Sequence, residues 1–186
     1  MADIVARQAL YDRAMPRFRA AALLLGAAAA GCSPTFNWRE LTAEPSPLRV
    51  LLPCKPESTM RRVPMAGASV DMHGVGCETG GATFAVLHAD LRDPGRSAEA
   101  LAQWNQATLS HLKAGRSHAS AFRPPGALDL PSSQRVRAAG QQADGSAVEG
   151  EAAYFAHGTR VYQAVVYARR LPPEAVGPFF DGLKFP

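Results

Sequence analysis

Apolar positions recur with period two in several short runs and with helical spacing in two longer ones. "LRVLLP" (48–53) is aliphatic and ends at a proline, which predicts a strand. "TMRRVPM" (59–65) predicts a weaker one. "VDMHGVGCE" (70–78) alternates loosely, with Val70, Met72 and Gly74 on one face and His73, Val75 and Cys77 on the other. The turn residues "TGG" lead into "ATFAVLHADL" (82–91), a strong strand. Two extended runs around a glycine pair predict a hairpin.

"RDPG" breaks the extended pattern. Asp93-Pro94, or Ser97, can begin a helix. Over 97–115, Leu101, Trp104, Thr108 and Leu112 fall on one helical face, and Gly115 supplies the stop. Trp104 is expected to anchor that helix to a sheet; a ligand-stacking role is the alternative. Residues 116–133 have no clear period, and so long an irregular stretch is a candidate binding surface. "QRVRAAGQQ" and "SAVEGEAAYFAH" flank the turn residues "ADG", and "HGT" (157–159) turns into "RVYQAVVYARR" (160–170). Three consecutive antiparallel strands follow from this. Pro172-Pro173 then opens a helix whose apolar side carries Val176, Phe179, Phe180 and Leu183. The order is four strands, a helix, three strands and a helix. It predicts one α+β domain over 48–186, a mostly antiparallel sheet packed by two helices.

The N-terminal part has a different pattern. Arg17 and Arg19 precede an apolar run from Ala20 to Ala30, which ends in small residues before Cys32. A basic start, an apolar stretch and small residues at a cut describe a secretory signal over 1–31. The run is shorter than the roughly 20 residues a membrane-crossing helix needs. Met15 makes a cleaner start than Met1, because Asp3 and Asp12 are foreign to a signal. The "AAGC" at 29–32 resembles the lipobox of bacterial lipoproteins. That resemblance implies that the Cys32 thiol receives a fatty acyl chain such as palmitate and becomes the first mature residue. It departs from the family at Ala29, where Leu is commoner. Ser33, in place of the Asp associated with inner-membrane retention, implies the periplasmic face of the outer membrane. Plain secretion and a buried helix over 19–31 remain as alternatives. "SPTFNWRELTAEPSP", rich in Pro, Ser and Thr, reads as a flexible tether over 32–47.

With Cys32 acylated, Cys54 and Cys77 are left. An exported chain meets an oxidising space, where two such thiols pair. Free buried thiols are an alternative, as is a metal site gathered from Cys54, Cys77, His73 and His88, although no CxxC or HxxxH spacing supports it.

"LRVLLP", "ATFAVLHADL" leading into a helix, and "RVYQAVVYARR" followed by "FFDGLKF" together resemble the PsbP-like α/β/α sandwich over roughly 48–185. That family includes thylakoid-lumen proteins and bacterial envelope lipoproteins and is mostly non-enzymatic. The resemblance rests on hydrophobicity and carries over no site residue.

Charge and motif content narrow the function. The chain carries 20 basic and 16 acidic residues; four arginines and two aspartates precede Cys32, leaving 16 and 14, a net +2 without clusters. That is no nucleic-acid footprint. "GVGCETGG" (74–81) lacks the Lys-Ser/Thr of a phosphate loop, and Ser69 in "GAS" is not a nucleophile elbow. A Cys77–His88 nucleophile pair would need a reduced Cys77. Asp90 and Asp93 around Arg92 read as a solvated turn. No cofactor or catalytic residue is expected. The expectation is a non-catalytic envelope lipoprotein, anchored at Cys32, that binds an envelope protein or small ligand or aids assembly. An envelope hydrolase or thiol enzyme without a recognisable motif is the alternative.

Overall fold

The computed structural model describes residues 34–186. The expected signal (1–31) and the expected lipidation site Cys32 lie outside the described residues.

Seven strands form one antiparallel sheet: β3 (Glu57–Met65), β4 (Ala68–Thr79), β5 (Ala82–Asp90), β6 (Arg116–Ala121), β7 (Gln134–Gln141), β8 (Ala147–His157) and β9 (Arg160–Ala168). Their spatial order is β3-β4-β5-β9-β8-β7-β6. Two meanders therefore meet at the β5–β9 seam, where Ala82 to Asp90 pair with Ala168 to Arg160. The only non-local step is the crossover from β5 to the far edge, made by a short 3-10 turn (Pro94–Arg96) and helix α1 (Ser97–His111). The α+β class expected from the sequence is what forms.

Both faces of the sheet are covered over the seam. On one face α1 buries Ala100 and Leu101 against Tyr154, Val161 and Val165. On the other face lie helix α2 (Pro173–Asp181) and a two-stranded ribbon of β1 (Arg39–Thr42) and β2 (Arg49–Leu52). Here Leu48, Val50, Leu52, Phe179, Phe180 and Leu183 pack on Phe84, Phe155 and Tyr162. Phe155 and Tyr162 are directly opposite across β8–β9, and their rings stack 5.2 Å apart. Period two in the sequence thus becomes two separate cores.

Five expectations need correction. The tether expected over 32–47 does not extend through the described part of that range. Arg39–Thr42 form β1, and Ala43 and Ser46 are buried. The Pro-Ser-Pro composition builds a tight turn, whose Ser46 hydroxyl donates to the Tyr162 hydroxyl at 3.1 Å and whose Oγ accepts from Leu48 N–H. "LRVLLP" opens this ribbon rather than the main sheet.

Helix α1 ends at His111, not at Gly115. The left-handed residue that stops it is Lys113, at φ 49°. Lys113 N–H donates to Ser110 and Ala114 N–H to Leu109, the paired bonds of a Schellman stop. The Leu112 carbonyl is taken by Gln141 N–H. This contact also explains Gly140: a Cβ there would sit 2.1 Å from the Leu112 oxygen, so only glycine lets the helix end approach β7.

Of the four residues expected to face inward on that helix, Leu101 and Leu112 are buried, while Trp104 and Thr108 are only half-buried. Thr108 accepts from Gln163 Nε2 at 2.9 Å, and Gln163 also donates to the Tyr154 hydroxyl, so a polar knot fixes this part of α1. Finally, the irregular stretch 116–133 contains strand β6. All six of its residues are exposed, so an edge strand left no hydrophobic signal.

Candidate functional site

Alternation on β4 and β5 turns Asp71, His73, Val75 and Cys77, with Phe84, Val86, His88 and Asp90, toward the ribbon side. Val75, Cys77, Phe84 and Val86 enter the core there. Beyond the ribbon turn the same face continues as polar residues. They line a cleft of about 350 Å³ with Arg62, Arg92, Arg160 and Pro45.

Register explains the arrangement. His73 is opposite His88, and His88 is opposite Tyr162, so three rings cross β4, β5 and β9 in one row. His73 and His88 stack at 5.4 Å, and His88 and Tyr162 lie 5.7 Å apart. In the next row Arg62 is opposite Asp71, and Asp90 is opposite Arg160. Arg62 donates through Nε at 2.9 Å and through its terminal nitrogen at 3.4 Å to the two Asp71 oxygens. This bond, then the charges of Arg62, His73 and Arg92, hold the Asp71 carboxyl below its ordinary range. Asp90 accepts from Thr159 Oγ1 at 2.7 Å and from Arg92 N–H at 2.9 Å, and pairs with Arg160 at 3.3 Å. Burial alone would raise this carboxyl; those bonds and charges outweigh it and lower it. The Asp90 bond also holds Arg92 in the left-handed region, at φ 59°.

His88 is 2% exposed and its Nδ1 has no partner among the described residues. Burial first, then the neighbouring His73, pushes its pKa from 6.5 down to about 4, against the pull of the Glu44 and Ala43 carbonyls. Between those values the unfolded chain binds a proton that the folded one refuses. Stability should therefore fall as pH drops below about 6.5, with the loss complete below about 4 and amounting to roughly 3 kcal/mol. Urea unfolding of wild type and His88→Gln at pH 7, 5.5 and 4.5 checks this. The variant should have the flatter profile; parallel profiles would remove His88 as the cause.

The sequence candidates are brought together in two separate pairs. Cys54 and Cys77 are bonded, with Cα atoms 5.8 Å apart. Cys77 pairs with Phe84, four residues from His88 on β5, which places sulfur and imidazole roughly 13 Å apart along the strand. That distance, together with the bonded sulfur, removes the Cys77–His88 nucleophile pair. It also breaks up the Cys54, Cys77, His73, His88 metal set. Among the described residues no group of three or more His, Cys, Asp or Glu is placed to hold a metal ion.

Asp93, read from sequence as part of a solvated turn, accepts from Gly95 N–H at 2.9 Å and caps the 3-10 turn. Asp90, read the same way, belongs to the cleft instead. Arg62, Asp71 and Arg160 had no individual signal; only strand register could have grouped them. Within the irregular stretch, residues 119–123 and 129–131 with Ser133 and Gln134 line an open groove of about 780 Å³ beside β6. Its charged pair there, Arg123–Asp129, is self-compensating at 3.0 Å.

The chain matches no known protein-family model and no curated protein sequence.

Proposed function

We propose that this chain is a non-catalytic cell-envelope lipoprotein. In this reading Cys32 carries the lipid, the membrane holds that anchor, and residues 34–186 face the periplasm, with the outer membrane favoured by Ser33. The domain binds a small ligand or an envelope protein, or aids assembly, and the polar cleft around His73 and His88 is the surface assigned to that task. The observation that carries the reading is the Cys54–Cys77 bond, because such bonds persist in exported proteins and are rare in a reducing cytosol. It agrees with an export address that ends in "AAGC". No helix of the described residues is long and apolar enough to cross a membrane; in this reading the lipid on Cys32 supplies the attachment. The layering of α1, sheet, and α2 with its ribbon supports the PsbP-like likeness, which brings a mostly non-enzymatic background with it.

The thiol-enzyme alternative needs a reduced Cys77 beside His88, and neither condition has support. A hydrolase reading has no nucleophile with a base in the described residues to favour it.

Cys32→Ser should abolish incorporation of a clickable palmitate analogue and release the protein from the membrane fraction. Labelling and sedimentation that survive the substitution would sink the lipoprotein reading.

A further inference from the structure

The polar cleft holds more positive charge than its own carboxylates answer. Arg62, Arg92 and Arg160 face it with Asp71 and Asp90, a formal excess of one positive charge. Both carboxylates are already engaged. Asp71 takes two bonds from Arg62. Asp90 takes Thr159, the Arg92 amide and Arg160. What remains is the Arg92 guanidinium, which has no ion pair among the described residues. Arg160 also has spare capacity, since a guanidinium has five N–H donors and the recorded pair uses one nitrogen at 3.3 Å.

The backbone under Arg92 points the same way. A left-handed residue with a long side chain is uncommon, and glycine would adopt φ 59° without strain. Arg92 lines the cleft from that position, its amide fixed by Asp90 and its guanidinium without an ion pair among the described residues. On the ribbon side Pro45 adds a small apolar surface to this otherwise polar lining, while Val70 and Leu91 are buried in the core on the α1 side. His73 adds an aromatic face stacked on a buried, uncharged wall.

We propose that this cleft binds a small carboxylate with a flat, compact body, its oxygens on Arg92 and Arg160 and its body against Pro45 and the His73 ring. A guanidinium fork matches a planar carboxylate in two parallel bonds. One excess charge fits a monoanion, whereas the second charge of a phosphate would face Asp71 and Asp90. The assignment deepens the ligand-binding part of the function proposed above and rests on it.

The test is calorimetric titration of the full chain, purified in detergent, with benzoate as the probe. Inorganic phosphate supplies charge without the body, and benzyl alcohol supplies the body without charge. Benzoate should bind, with phosphate and benzyl alcohol each at least tenfold weaker. Arg92→Gly should weaken benzoate at least tenfold while leaving the thermal midpoint unchanged or higher, because glycine relieves the left-handed backbone. Lys113→Gly makes the same replacement at another left-handed position, on the α1 stop, and should leave binding unchanged. Should Arg92→Gly lower the midpoint, Arg92→Asn, which tolerates that backbone, takes its place. Absence of benzoate binding, equal binding by the glycine variant, or phosphate or benzyl alcohol binding as tightly as benzoate would each overturn the proposal. Lipid labelling at Cys32 is read separately, so the binding assignment and the lipoprotein reading fail independently.

Discussion

Phe155→Ala should lower the stability of the domain by about 3–5 kcal/mol, the range for truncating a fully buried aromatic. Against the roughly 5–15 kcal/mol that separates folded from unfolded domains this is a large fraction. Phe155 is 0% exposed, near the C-terminal end of β8. It stacks on Tyr162 at 5.2 Å and meets Phe185 at 6.1 Å and Phe122 at 6.2 Å. Its loss therefore leaves a void shared by β9, the C-terminal tail and the loop after β6, and no single neighbour can collapse into it. The melting midpoint should drop on the order of 10 °C, from a shift of about 2–4 °C per kcal/mol at this size. Trp104→Ala makes the useful contrast. Trp104 meets Tyr154 edge-on at 6.4 Å but is only half-buried, so its truncation should cost about 1–2 kcal/mol. A Phe155→Ala midpoint within 2 °C of wild type, or a Trp104→Ala loss as large as that of Phe155→Ala, would reverse this ranking of the two faces.

That ranking corrects the sequence-based emphasis on the amphipathic helix. Helical spacing correctly put Leu101 and Leu112 against the sheet, but it could not reveal that Thr108 is held by Gln163 or that Trp104 sits at the rim. Strands buried on both faces, such as β5, β8 and β9, were legible because apolar and β-branched residues run through them. Edge strand β6 was not, since six exposed residues carry no alternation. Ribbon strand β1 was hidden for a different reason. Pro45 and Pro47 look like linker residues until Ser46 is seen to reach Tyr162, 116 positions away.

The cleft was legible only in fragments. His73 and His88 stood out as residue types, but nothing in their spacing shows that they are opposite in register. Arg62, Asp71, Asp90 and Arg160 come from four strands and meet through β-pairing alone. Long-range register is the information a single sequence holds least locally. The cysteine pairing was easier because it followed from counting thiols and from the expected export address, and the Cα separation of 5.8 Å then satisfied it.

Replacing both Cys54 and Cys77 with alanine should cost roughly 3 kcal/mol, the model-dependent worth of closing a loop of this size. The bond spans 23 positions and ties the chain leaving β2 to β4 of the main sheet. It thus joins the ribbon layer to the sheet at the border of the aromatic core, where Cys77 is itself buried. Reduction of the wild type should reproduce the loss, and the alanine pair should be indifferent to reductant. Melts of both proteins with and without a phosphine reductant make this a closed comparison. Each single variant should fall at least as far as the double one, because it keeps an unpaired thiol, buried at Cys77 or half-buried at Cys54. The outcome bears on location as well as on stability. A domain that gives up roughly 3 of its 5–15 kcal/mol on reduction is fitted to an oxidising space. If denatured, unreduced wild type titrates two thiols from Cys54 and Cys77, or if reductant leaves its midpoint unmoved, the bond no longer supports export, and the envelope reading rests on the lipobox resemblance alone.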